Sequence, residues 1–157
     1  MVTIRKATQD DRVDIFNVHR SAALQVDAGH YRAAELEAWV THLSPDLYEQ
    51  PIATQEFVVA EVEGAVVGFG HLNLEMGAVK AVYVSPDRVR KGVGTSLLNA
   101  LEKSARAAGI ERLRLDASLN SVGFYERMGY QAEQPGVHRT LGGQLIRCVH
   151  MRKELLA

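Results

Sequence analysis

The chain has 157 residues, 46% of them hydrophobic and 24% charged, which suits one soluble globular domain over residues 1–157 with a single core. Its 18 lysines and arginines nearly balance 19 acidic residues, and a formal charge of -1 excludes bulk attraction to nucleic acid or to an anionic membrane, so any anion site has to be local. The single Cys148 excludes an intrachain disulfide, the start MVTIRKATQDDR has no signal-peptide core, and no apolar run reaches the roughly 18 residues of a membrane span, so a cytoplasmic protein is expected.

Val2 to Ala7 alternates like a strand, and Thr8 stands at an N-cap position before Asp10 and Asp11. Ile15, Val18, Ala22 and Val26 fall near helical spacing, which predicts a helix from about Asp10 to Ala23. In RAAELEAWVTHL, Leu36, Trp39, Val40 and Leu43 share one side of a second helix that Ser44-Pro45 closes. The valine-rich stretch from Glu56 to Val84 reads as an antiparallel meander with turns at Glu63-Gly64 and Met76-Gly77. From Gly92 the period becomes helical: Val93, Leu97, Leu98, Leu101, Ala105 and Ala108 form a stripe that Gly109 ends. Arg112 to Ser118 is a short strand and SVGFYERMGY a short helix ended by Gly129. Two last strands, near Tyr130–Gln134 and Gln144–Met151, flank a looser PGVHRTLGG. A strand, helix, strand crossover in the middle of this order implies mixed pairing.

The stretch SPDRVRKGVGTSLL, Ser85 to Leu98, puts a basic, glycine-bearing turn directly before a helix. A helix N-terminus has unpaired N–H groups and a partial positive charge, and Gly92 and Gly94 let an anion approach the backbone while Arg88, Arg90 and Lys91 add charge at the rim. From spacing alone, a solvated turn accounts for the stretch equally well. A P-loop is excluded by the absence of Gly-Lys-Ser/Thr at the required distance, and the dinucleotide fingerprint fails at Leu97, where its third glycine belongs.

AVYVSPDRVRKGVGTSLLNALE resembles the acetyl-coenzyme A motif of the GCN5-related N-acetyltransferases, and LDASLNSVGFYERMGY resembles that family's next motif. The resemblance implies an α/β (α+β) fold: one domain with a mixed, mostly antiparallel sheet of about six to seven strands flanked by helices on both faces. It implies acetyl-CoA as cofactor, with CoA as product, and places Arg90, Lys91, Gly92, Val93, Gly94 and Thr95 at the pyrophosphate and Val82 and Val84 beside the pantetheine amides. The sequence departs from the loop pattern at Val89, which stands where the family has Arg or Gln. Because that contact is largely through main-chain N–H groups, the change weakens binding rather than abolishing it.

Acetyl transfer to an amine needs a neutral nitrogen and a proton for the departing thiolate. Neutralising a lysine-like amine at pH 7 costs about 4.6 kcal/mol. Tyr125 matches the family's general acid, and a phenol is protonated at neutral pH. The usual glutamate position of the base is occupied by Ala78, which leaves Glu75 and His71 as open candidates. Tyr31, Trp39 and His42 lie on the helix that in this family borders the acceptor cleft. The six histidines show no ligand-type spacing, so no metal is expected, and Cys148 reads as a packed hydrophobe. The function implied is N-acetyl transfer to a small-molecule or peptide primary amine. The alternative is a non-catalytic acyl-CoA-binding or sensing domain, kept open by Ala78. The resemblance also allows a homodimer.

Overall fold

The computed structural model describes residues 1–25, 29–140 and 143–155. A sheet of seven strands runs through it: β1 (Thr3–Lys6), β2 (Glu56–Val62), β3 (Ala65–Asn73), β4 (Ala78–Val84), β5 (Arg112–Ser118), β6 (Gln131–Arg139) and β7 (Leu145–Glu154), in the order β1-β2-β3-β4-β5-β7-β6. Every neighbouring pair is antiparallel except β4 with β5, which the crossover makes parallel. Glu63 and Gly64 both take positive φ, 52° and 80°, which matches a tight hairpin turn to the twist of the strands it joins.

Among the described residues five α-helices cover the two faces: α1 (Arg12–Leu24), α2 (Ala33–Val40), α3 (Glu49–Thr54), α4 (Val93–Ala107) and α5 (Val122–Arg127). The apolar stripe of α4 is buried as its period requires: Leu97, Leu98, Leu101 and Ala105 are each 0% exposed, packing with Leu72, Val79 and Leu113 on one face. On the other face, α1 and α3 close over Phe57, Val59 and Phe69 through Ile15, Val18 and Ile52. Trp39, Val40 and Leu43 of the second predicted helix pack with Tyr31 and Ile146 of β7. The predicted position Val26 lies outside the described residues, as do Leu141 and Gly142 of the stretch read as loose.

Two expectations need correction. The segment after Ser44-Pro45 holds α3, which the sequence reading left empty; the helix has six residues and carries Pro51 in its first turn, where no intrahelical N–H is lost, so its period is too short to see. PGVHR is a strand: β6 runs through Pro135 to Arg139, because β6 is the outer strand and a proline there costs no ladder bond on its open side. Among the described residues no helix is long and apolar enough to cross a membrane.

Candidate active site

β4 and β5 pair at only Ala78↔Arg114 and Val79↔Leu115 and then part. From Lys80 to Val84, β4 keeps β3 on one side and has no strand on the other, so its backbone faces a cleft of about 990 Å³ whose walls include Val79–Val84, the end of β5, α5 and part of β7. Val82 and Val84 send their side chains to the α4 side, against Val93 and Leu97, and offer the cleft their main chain. Tyr83 points to the opposite face, 6.4 Å from the Trp39 ring and 4.4 Å from that of His19. Burial pushes its phenol up, so it is neutral at physiological pH.

The loop after β4 begins with a 3-10 turn, Pro86–Arg88, and ends in two left-handed residues, Arg90 at φ 63° and Gly92 at φ 83°. Gly92 is the N-cap of α4 and has no side chain with which to cap it. The first helical bond is Ser96 N–H to the Gly92 carbonyl at 3.0 Å. Among the described residues no acceptor meets the N–H groups of Gly92, Val93, Gly94 and Thr95, and no acidic residue stands in the first turn. A fifteen-residue helix therefore presents its positive end, uncapped, to the cleft. Arg90, Gly92, Gly94 and Thr95 line the cleft, and so does half-exposed Val89; Lys91 is exposed outside the lining, and the Val93 side chain turns into the core.

At the other wall, α5 carries Tyr125 into the cleft. Its ring is wedged edge-on between Phe124 at 5.1 Å and Tyr130 at 5.6 Å, while its hydroxyl meets no hydrogen-bond partner among the described residues and is not fully enclosed. Burial raises its pKa, so the phenol keeps its proton across the working range.

The remaining predicted residues divide. Trp39 lines the cleft. Tyr31 is 1% exposed and acts as a strut, donating to the Arg147 carbonyl at 2.6 Å and accepting from Leu119 N–H at 2.9 Å. His42 is exposed and outside the lining, and Glu75 is exposed in the β3–β4 hairpin. His71 is buried, stacked on Phe57 at 5.0 Å and joined through Nε2 to Gln55 Oε1 at 2.7 Å; it borders a smaller cavity of about 360 Å³ beside the cleft.

Burial pulls the His71 pKa down to about 4, with the Lys80 charge adding to the effect. Its unfolded value is the higher one, near 6.5, so the unfolded chain binds the proton first and stability present above about pH 6.5 is lost as pH falls toward 4. Urea unfolding from pH 7 to 4 should show this decline, up to about 3 kcal/mol from this residue. A His71→Gln variant, which keeps a hydrogen-bonding side chain without the titration, should lose this share of the decline and keep the share that buried His19 contributes; an equally steep variant would show that His71 is solvated.

The sequence reading missed a group at the point where the strands part. Asp116 of β5 accepts from His138 Nδ1 of β6 at 2.9 Å and from His150 Nδ1 of β7 at 2.6 Å. Asp116, Cys148 and His150 bring three ligand-type atoms within 4.8 Å of one another, a grouping that strand register creates and linear spacing conceals. Both carboxylate oxygens are satisfied by imidazole donors, and burial pushes the Cys148 thiol up to about 11, so the group is held by its own hydrogen bonds. The sequence carries no local signal for the group, because Asp116 falls in step with Arg112 and Arg114 on the polar face of an alternating strand whose Leu113, Leu115 and Ala117 face the core.

The family model described as "Acetyltransferase (GNAT) domain" matches residues 27–155. The uncharacterized N-acetyltransferase YafP of Escherichia coli is 25% identical over 130 residues, 83% of this chain and 81% of that one. A GCN5-related N-acetyltransferase from Rhodopseudomonas palustris superposes with a TM-score of 0.88 at 29% identity, covering 97% of this chain and 94% of that one. The PaiA N-acetyltransferase of Thermoplasma acidophilum, solved in complex with coenzyme A, gives a TM-score of 0.80 at 25% identity over 98% of this chain and 99% of that one.

Proposed function

The chain belongs to the GNAT acetyltransferase family, and on that premise we propose that it transfers an acetyl group from acetyl-coenzyme A to a primary amine by direct attack within a ternary complex. One observation carries the reading: the unpaired edge of β4 and the uncapped start of α4 open on the same cleft as the Tyr125 hydroxyl. A ligand suited to all three carries, in order along its length, a pyrophosphate for the start of α4, amides for the edge of β4 and a thioester beside Tyr125.

The residues fit such a ligand. Backbone groups of Val82 and Val84 pair with amides as a neighbouring strand would. The N–H groups of Gly92 to Thr95 receive phosphate oxygens, helped by Arg90, and Lys91 contributes charge from outside. Val89 supplies no donor, so affinity rests on the main chain. Tyr125 gives its proton to the departing sulfur. The acceptor, a small-molecule or peptide amine, enters from the side of Trp39 and His138, where the cleft meets the smaller cavity.

Calorimetric titration with acetyl-coenzyme A, with NAD as control, is expected to show saturable binding of the first alone, followed by amine-dependent thiol release in a primary-amine panel. Absence of acetyl-coenzyme A binding would end this reading. Binding with no acceptor-dependent release would favour a non-catalytic acyl-CoA-sensing role, to which Ala78 at the usual base position would then point.

A further inference from the structure

Asp116 is the first β5 residue beyond the last β4–β5 pair and lines the cleft where the two strands part. Hydrogen bonds from His138, then from His150, hold its pKa below the usual range against the opposing effect of burial, and it stays ionised. An ionised carboxylate only accepts, so both imidazoles carry hydrogen on Nδ1, and His138 is left with a bare Nε2 lone pair. His150 is fixed from behind: a Cβ on Gly136 would lie 2.0 Å from its Nε2, so β6 can pass that ring only as glycine. With Oδ1 thereby engaged by His150, Oδ2 is committed to His138, which borders both the main cleft and the smaller cavity.

We infer that His138, positioned by Asp116, is the base that takes the proton from the acceptor amine. The inference rests on the transferase reading above and fills the role left vacant by Ala78. Neither earlier candidate reaches it, since Glu75 lies outside the cleft and His71 has its Nε2 tied to Gln55.

The surroundings of His138 suit the task. From α1 and β3, His19 and His71 are held neutral by burial, at about 3 and about 4, and place no competing charge beside it. Cys148 on β7 and Tyr83 on β4 are likewise neutral. Arg147 is paired with Glu35, and Arg139 turns back to the Gly143 carbonyl. The ionised groups facing His138 are thus Asp116, which holds its Nδ1–H, and Lys80 on the opposite wall of the smaller cavity.

The protons balance. Of the three on an ammonium acceptor, one passes to His138 Nε2 and then to solvent, freeing the nitrogen pair to attack the thioester carbonyl. As the C–N bond forms and the C–S bond breaks, sulfur takes the Tyr125 proton. A second nitrogen proton restores Tyr125, and the third stays on the amide.

The test compares two probe nucleophiles with acetyl-coenzyme A at pH 7: n-butylamine, mostly protonated, and hydroxylamine, mostly neutral. His138→Gln is expected to lose about a hundredfold in butylamine-dependent thiol release and less than about tenfold with hydroxylamine. Its acetyl-coenzyme A affinity should be unchanged. Asp116→Asn should show the same selectivity, and His138→Ala should regain butylamine transfer when free imidazole is added. Equal losses on both probes, or none, overturn the assignment. Wild-type protein that binds no acetyl-coenzyme A would remove it together with the transferase reading, and that result is distinguishable because binding is measured without either probe.

Discussion

Tyr125→Phe is expected to lower the rate of acetyl transfer by about a hundredfold to ten-thousandfold while leaving acetyl-coenzyme A affinity and unfolding free energy nearly unchanged. The substitution removes one oxygen. The ring stays, with its edge contacts to Phe124 and Tyr130, so packing is conserved and no buried partner is orphaned. What disappears is the proton source facing the cleft. A thiolate leaving the site without that proton has to take one from water, and the cost appears in turnover rather than in binding. Single-turnover thiol release with calorimetry on the same preparation separates the two quantities. A rate within about threefold of wild type would take Tyr125 out of the chemistry and leave it as a packing residue.

The largest effect expected on stability is at Lys153. Glu102 on α4 is 2% exposed, and its carboxylate is held by Lys153 Nζ at 3.0 and 3.2 Å and by the Tyr130 hydroxyl at 2.8 Å. Lys153 also donates to the Met128 carbonyl at 2.8 Å and lies 5.6 Å from the Tyr130 ring centre. One ion pair therefore ties α4, the end of α5 and β7 together. Replacing Lys153 by Met keeps the stem but leaves the buried carboxylate only the Tyr130 hydroxyl and the more distant Arg106, 3.8 Å away, and unpairs the Met128 carbonyl, which should cost about 2–4 kcal/mol in urea unfolding. Adding Glu102→Leu to that variant should recover a large part of the loss, because a buried carboxylate short of its nearest cation is what hurts. A Lys153→Met loss below about 1 kcal/mol would mean that water reaches Glu102 and shares its charge.

Much of the fold was legible because the helices and strands obey their own periods. The α4 stripe, the Glu63-Gly64 turn and the strand from Arg112 to Ser118 each carry a local signal, and each forms where that signal lies. The turn before α4 was legible for a different reason: a glycine with positive φ before a helix has few substitutes. The failures share a cause. Pro135 opens the stretch read as looser, yet whether a proline interrupts a strand depends on whether that strand is outermost, and this is a property of the sheet. The group around Asp116 joins β5, β6 and β7, so its members are 22 and 34 residues away from Asp116 and no spacing rule links them. His71 and Glu75 drew attention by position relative to a motif, whereas burial and hairpin geometry decided where their side chains went.

The parting of β4 from β5 also bears on how this protein avoids sticking to itself. Any unpaired strand edge invites another strand, and a site that recognises amides by backbone pairing has to leave one open. Here that edge lies inside the sheet, between walls formed by α5 and β7, where a flexible chain can thread but a preformed sheet cannot dock. The two outer margins are poor templates by other means: β1 is four residues long, and β6 carries Pro135. The molecule thus keeps its one adhesive seam indoors.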